Sequence, residues 1–183
     1  MPAEIYLIDH TLERYRWVGP IEDSDDWARR LTKVRHDPVA DGWEPVPVEW
    51  LPETSGRAIP DFPNFWGGML CASRRAVAAL GSYLQQGGEF LQLRGLEGEY
   101  IAWHCLRTID VLNQPATEEA VKEMKGRVFS SPTFVPRLLL DEIPDDYDVF
   151  RVPQSFQKVF VRRRFLDAYR HAGLTGLEFL PVP

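Results

Sequence analysis

Four histidines, His10, His36, His104 and His171, and two cysteines, Cys71 and Cys105, are the side chains best suited to nucleophilic or metal chemistry. Their spacing argues against both. No HExxH, CxxC or close Cys/His cluster brings ligands within reach of one ion. His104 and Cys105 are adjacent and would make a base and a nucleophile, but neighbouring side chains on a strand leave on opposite faces, so structural roles are expected for both. The glycines of GGEFLQLRGLEGE form neither a GxGxxG fingerprint nor a Walker lysine motif, and read as turns between strands. Asp61, Asp141, Glu142, Asp145, Asp146 and Asp148 could ligate a cation, yet they lack the calcium-loop pattern, and a solvated acidic turn is the simpler reading. No catalytic residue, cofactor or metal is assigned, and the chain is expected not to be an enzyme.

Charge offers a different chemistry, that of partner contact. The turn DEIPDDYD carries Asp141, Glu142, Asp145, Asp146 and Asp148, and it is the leading candidate for binding a basic surface, which an acidic patch both steers and masks. Glu22, Asp23, Asp25 and Asp26 form a second acidic candidate. Arg162, Arg163 and Arg164 raise the opposite case. Three cations at a helix start oppose the macrodipole and call for a compensating carboxylate or an acidic partner. The stem of Arg164 can also cover apolar surface. Trp66, beside a Gly-Gly turn, is a candidate interface anchor, weighed against an ordinary core or edge aromatic. The 27 acidic against 21 basic residues give a formal charge of −6, which offers no general attraction to nucleic acid.

These residues need elements to position them. A length of 183 residues with 44% apolar and 12% aromatic content suits one domain, or two intimately packed lobes at about 1–112 and 113–183. Ile5 to Ile8 reads as a strand. Residues 21–34 read as a helix capped by Ser24 or Asp25, with Trp27, Leu31 and Val34 on one face. Six prolines and five aromatics between His36 and Gly68 predict a folded irregular segment, with a short strand over Val46 to Leu51. A helix over Ser73 to Gln85, capped by Ser73, presents Val77, Leu80 and Leu84. It is followed by a strand over Glu89 to Leu93, a turn over Leu96 to Glu99 and an antiparallel strand over Tyr100 to Leu112.

Beyond this, Thr117 to Lys125 reads as a helix capped by Thr117, Val128 and Phe129 as extended, and Phe134 to Ile143 as extended or helical. Val149 to Val152 and Val159 to Val161 read as short strands. A final helix carries Phe165, Leu166, Tyr169 and Ala172 on one face, ends at Gly173 and leads into a strand over Leu177 to Leu180. The fold expected is α+β, with a mixed or mainly antiparallel sheet and packed helices. The two cysteines are too few for a disulfide scaffold, and MPAEIYLIDH lacks a secretory pattern. No run reaches the 18 apolar residues of a membrane span, so a reducing cytoplasm without membrane insertion is expected.

Residues 71–93 and 160–182 align without a gap. Arg74 and Arg75 meet Arg163 and Arg164, Ala79 meets Ala168, Gly87 meets Gly176, and Glu89, Phe90 and Leu91 meet Glu178, Phe179 and Leu180. Two readings account for this: a duplicated helix–strand unit, or the same packing rules applied twice.

The C-terminal stretch VFRVPQSFQKVFVRRRFLDAYRHAGLTGLEFLPV resembles the end of a bacterial immunity-protein family found beside polymorphic or contact-delivered toxins. The likeness is carried by Phe150 and Arg151, by Val159 to Val161, by a helix containing Phe165, Ala168 and Ala172, and by AGLTGLEFLPV from Ala172 to Val182. Looser echoes lie at Asp61 to Pro63, near Ser73, at Glu89 to Leu93, at Tyr100, at Asp110 to Leu112 and at Leu138 to Glu142. Where family members commonly place a serine and an acidic residue at the start of the last helix, this chain has Arg162 and Arg163. The resemblance implies a protein that binds and neutralises a cognate toxin encoded nearby, by stoichiometric inhibition without a cofactor. A general protein-binding or scaffold module is the alternative reading, with a small-molecule enzyme third.

Overall fold

The computed structural model describes residues 5–21, 37–65, 68–117 and 136–183. Its fold is α+β, built from two sheets and two principal helices among those residues. In chain order the strands are β1 (Ile5–His10), β2 (Val18–Pro20), β3 (Val46–Trp50) and β4 (Met69–Ser73), followed by helix α1 (Arg74–Gly87). Then come β5 (Gly88–Arg94), β6 (Tyr100–Cys105), β7 (Val149–Val152), β8 (Ser155–Arg162), helix α2 (Arg163–His171) and β9 (Leu177–Pro181). One sheet has the order β7-β8-β1-β9 and is antiparallel throughout. The other runs β2-β3-β5-β6-β4 and is mixed, because β3 lies parallel to β5.

Alternation along the strands divides the apolar residues into layers. Leu70 and Ala72 of β4, Trp103 and Cys105 of β6, Ile8 of β1 and Val159 and Val161 of β8 all face a shared core that holds Leu80 and Leu84 of α1 with Phe165 and Tyr169 of α2. Their chain neighbours face outward. Met69, Cys71 and Ala102 join Val46, Val48 and Leu91 on the far side of the mixed sheet. Ile5, Leu7, Phe150 and Phe160 join Val111, Leu138 and Ile143 on the far side of the antiparallel sheet. Both sheets thus bury apolar residues on each face, although parts of β5 and β9 remain exposed.

The helices begin and end where side-chain chemistry dictates. The Ser73 hydroxyl accepts the N–H of Ala76 at 3.1 Å and starts α1; its loss costs about 1 kcal/mol. Ala76, Leu80 and Leu84 form the buried stripe, and truncating Leu80 to Ala costs about 2–5 kcal/mol. Helix α2 ends at Gly173, whose φ of +60° lets its N–H reach Arg170 O at 3.0 Å and that of Leu174 reach Tyr169 O at 3.2 Å.

The two helices belong to equivalent units. In each, a strand leads into a helix and the helix into a second, parallel strand, with an antiparallel strand between the two. β6 lies between β4 and β5, and β1 lies between β8 and β9. The registers coincide. Ile5 opposite Arg162 corresponds to Tyr100 opposite Ser73, Leu7 opposite Phe160 to Ala102 opposite Cys71, and Leu7 opposite Leu180 to Ala102 opposite Leu91. Every pairing of β1 with β8 and β9 has such a counterpart, which chance likeness between two helix–strand segments does not supply. The middle strand follows its unit as a hairpin in the first case and comes from the N-terminal end of the chain in the second. A division near residue 112 would separate β1 from the strands it pairs with.

Several expectations change. β2 and β4 were not anticipated. β6 stops at Cys105, and Arg107 to Ile109 instead run beside β7, where the N–H of Ile109 reaches Arg151 O at 2.9 Å. The helical turn over residues 114–117 starts before Thr117, with Asn113 Oδ1 accepting the N–H of Ala116 at 3.3 Å. The Thr117 hydroxyl accepts the N–H of Arg137 instead. Residues 136–143 form an extended piece bridging Leu138 to Leu112 and then a 3₁₀ turn over Leu140–Glu142. The helix expected over 21–34, most of that over 117–125 and the extended pair Val128 and Phe129 lie outside the described residues.

Candidate functional site

The acidic turn between residues 140 and 148 is shaped by basic side chains from elsewhere in the chain. Arg162, the last residue of β8, is only 7% exposed. Its Nε donates to Tyr147 O at 3.1 Å, and its Nη2 donates to the carbonyls of Ile143 and Pro144, both at 2.8 Å. Its backbone N–H reaches Asp148 O at 3.0 Å. Arg164 donates to the Asp148 carboxylate and the Asp145 carbonyl. Arg107 donates to Asp146 O at 2.9 Å and lies 4.3 Å above the Tyr147 ring. One guanidinium fork spanning three carbonyls favours this loop conformation.

This network sorts the five carboxylates. Asp148 is buried and neutralised by Arg164. Asp145 is fully exposed, 3.8 Å from Arg162. Asp141, Glu142 and Asp146 are exposed and have no ion-pair partner among the described residues. The three arginines divide as well. Arg162 is interior and committed to the loop, while Arg163 is half-exposed, pairs with Asp167 at 3.0 Å and donates to the Tyr6 hydroxyl at 3.1 Å. The carboxylates that compensate the cations at the α2 start, Asp148 and Asp167, belong to this chain.

Asp61, considered above as a cation ligand, is instead a saturated acceptor. Its carboxylate receives the Ser73 hydroxyl at 2.9 Å, Arg75 Nη1 at 3.0 Å, and both the N–H and the hydroxyl of Thr175 at 3.1 Å. Arg75 also reaches the carbonyls of Ala172 and Gly173. This knot ties the start of α1 to the end of α2. Arg75 holds Asp61 as its counterpart Arg164 holds Asp148.

Of the histidines and cysteines, His104, Cys71 and Cys105 are buried, His10 is half-buried, His171 is exposed and His36 lies outside the described residues. His104 and Cys105 face opposite sides of the sheet, as alternation predicts: Cys105 lies in the shared core, and His104 Nδ1 meets Glu89 Oε1 at 2.9 Å. Glu89 also accepts the N–H groups of Val39 and Ala40 at 2.8 and 3.1 Å. Burial opposes its ionisation, but the bonds from His104, Val39 and Ala40 outweigh this and hold the carboxyl below its ordinary pKa. Both cysteines are free. They sit on opposite faces of one sheet, and burial raises both thiols, Cys105 to about 11. Among the described residues no group of three or more His, Cys, Asp or Glu side chains could hold a metal ion, and no helix is long and apolar enough to cross a membrane.

A groove that the sequence did not reveal lies beside α1. It encloses about 730 Å³ between β3, the β5–β6 turn and the helix start. Val48, Trp50, Leu96, Tyr100, Ile21 and Ile59 give it an apolar lining. Trp50 meets Tyr100 edge to face at 5.4 Å, and the Tyr100 hydroxyl donates to Pro60 O at 2.8 Å. At the lip, Leu96 and Glu97 both have left-handed backbones, φ 48° and 55°. That conformation is uncommon outside glycine and costs on the order of 1 kcal/mol per residue. The one sequence signal was RGLEGE, two glycines bracketing a two-residue turn.

Glu22, Asp23, Asp25, Asp26 and Trp66 lie outside the described residues. The acidic turn and the groove both lie within the described residues. The chain matches no protein-family model and no curated protein.

Proposed function

We propose that this chain is an immunity protein that binds a cognate toxin and neutralises it by stoichiometric inhibition. The observation that carries the reading is the acidic loop fixed from beneath: Arg107, Arg162 and Arg164 hold its backbone, while Asp141, Glu142 and Asp146 remain exposed and unpaired among the described residues. A loop already ordered before encounter loses little entropy on binding. Three free carboxylates on such a loop suit a basic cleft, the kind of surface an enzyme acting on nucleic acid presents. The resemblance of residues 149–182 to immunity proteins supplies the biological role, and no turnover or cofactor is needed for it.

The test pairs the chain with the product of a toxin-like gene encoded beside it. Co-expression is expected to restore growth, and the purified chain to bind that product at one to one and block its activity. Replacing Asp141, Glu142 and Asp146 together with lysine is expected to weaken binding at least about tenfold at low salt, less at high salt. Unimpaired toxicity in the presence of the chain would remove the immunity role. Unchanged affinity of the folded triple variant would remove the acidic loop from the interface.

A further inference from the structure

We propose that the groove between β3, the β5–β6 turn and the start of α1 receives an apolar side chain of a partner protein, flanked by a basic residue. This rests on the reading of the chain as a partner-binding protein and adds the chemistry of the partner's side.

Exposure is the first argument. Five large apolar side chains are exposed among the described residues, and the two most exposed, Ile59 at 59% and Ile21 at 52%, both line this groove. Scattered surface apolar residues are ordinary, whereas two lining a cavity of ligand size mark a binding surface. The aromatic part of the lining is already rigid. Tyr100 is fixed by its bond to Pro60 and by the edge contact with Trp50, so an entering side chain meets a formed aromatic surface.

The charges at the rim choose the flank. Arg74 donates to Gly98 O at 3.2 Å and lies 3.7 Å from Glu99. Arg75 is held by Asp61 and by the carbonyls of Ala172 and Gly173. Both cations are thereby engaged within the chain. Glu49 and Glu97 line the same groove, are exposed and have no ion-pair partner among the described residues. Arg16 is stacked on Trp50, 5.1 Å from the ring centroid, and is not among the lining residues. The unpaired charges that line the groove among the described residues are therefore the two carboxylates, which a lysine or arginine beside the inserted side chain would complement.

The experiment pans a random dodecapeptide phage library on the full chain and measures the best synthetic peptide by fluorescence anisotropy. Enriched sequences are expected to place Lys or Arg within two positions of Leu, Ile, Phe or Trp. That peptide is expected to lose at least about tenfold in affinity on Ile59→Asp and on Glu97→Lys. Both positions are exposed, so each variant should melt within about 2 °C of the parent. The absence of enrichment, enriched peptides without a basic residue, or equal affinity for both variants would each overturn the proposal. So would a dimer in sedimentation that Ile59→Asp dissolves, since the occupant would then be a second copy. The two functional readings fail separately. Peptide binding that survives the triple lysine change in the acidic loop, with no neutralisation of the neighbouring toxin, overturns the immunity role alone. Neutralisation without groove-dependent peptide binding overturns the groove alone.

Discussion

Replacing Arg162 with alanine should be among the most damaging single changes on the α2 side of the molecule, and should cost more than the same change at its exposed neighbour Arg163. The Arg162 guanidinium donates to the carbonyls of Ile143, Pro144 and Tyr147 from a buried position. Charge-assisted bonds contribute about 1.5–3 kcal/mol each, and a buried carbonyl left without a donor costs about 1–3 kcal/mol. Water can reach Pro144, which is exposed, but not buried Ile143 as readily. The net loss expected is about 3 kcal/mol, or a fall in Tm of about 6–12 °C for a domain of this size. Arg163 is half-exposed, makes an i,i+4 pair with Asp167 and donates to the Tyr6 hydroxyl, so its alanine variant should lose about 1 kcal/mol. Lysine at 162 keeps the charge but cannot span three carbonyls as a planar fork, and should recover less than half of the loss. Urea melts of the three variants give the stabilities, and amide hydrogen exchange over residues 141–148 reports loop order. An Arg162→Ala protein within about 0.5 kcal/mol of the parent, or no more destabilised than Arg163→Ala, would refute the assignment of the loop to this clamp.

Other substitutions probe the close backbone approaches, the buried pair and the thiols. Gly176 has φ +107°, and an added Cβ would lie 2.2 Å from Phe62 O. Gly176→Ala should therefore cost about 3 kcal/mol or more in a urea melt. Gly173→Ala, at φ +60° with only a movable Arg75 nitrogen at 3.5 Å, should cost about 1 kcal/mol. Because the Glu89 carboxyl is held below its ordinary value of 4.5 in the folded state, its stabilisation is complete above that value and fades as pH falls through the folded pKa. Glu89→Gln should be less stable at pH 7 and show a shallower decline in stability below pH 4.5 by chemical denaturation. Cys71 and Cys105, both buried with raised thiol pKa, should resist iodoacetamide at pH 8 in the native protein and react in urea, as mass spectrometry would detect.

Much of the framework could be read directly because its signals are local. Helix α1 follows from one capping serine and the stripe read at Val77, Leu80 and Leu84, although Ala76 rather than half-buried Val77 completes the fully buried line, and the β5–β6 hairpin follows from its glycine-bracketed turn. β4 escaped because Met69 to Ala72 are all buried. A strand covered on both faces has no alternation to detect, and this one runs straight into a helix cap. β6 was drawn too long because Ile109 and Val111 are apolar, yet they pack on the outer side of the antiparallel sheet beside β7. The acidic turn was visible as a turn, but which carboxylates stay free depends on arginines 107, 162 and 164, supplied by distant strands. The groove had only the RGLEGE turn as a local sign. It gathers residues 21, 48–50, 59 and 96–100, which only the mixed sheet brings together.

The equivalence of the two units explains why these surfaces differ. Residues identical in both copies serve architecture. Phe90 and Phe179 pack on the shared core, Arg75 and Arg164 each secure an aspartate from the preceding loop, and Gly87 and Gly176 admit a close backbone neighbour. The residue before the helix breaks the pattern. In the first unit it is Ser73, small enough to cap α1, bond Asp61 and leave an open groove beside the helix start. In the second it is Arg162, whose side chain makes no cap but passes under the acidic loop and pins it. A cap opens one surface where a clamp builds the other. The acidic loop and the groove, the two surfaces proposed for recognition, thus both lie beside the position that Ser73 and Arg162 share in the repeated frame.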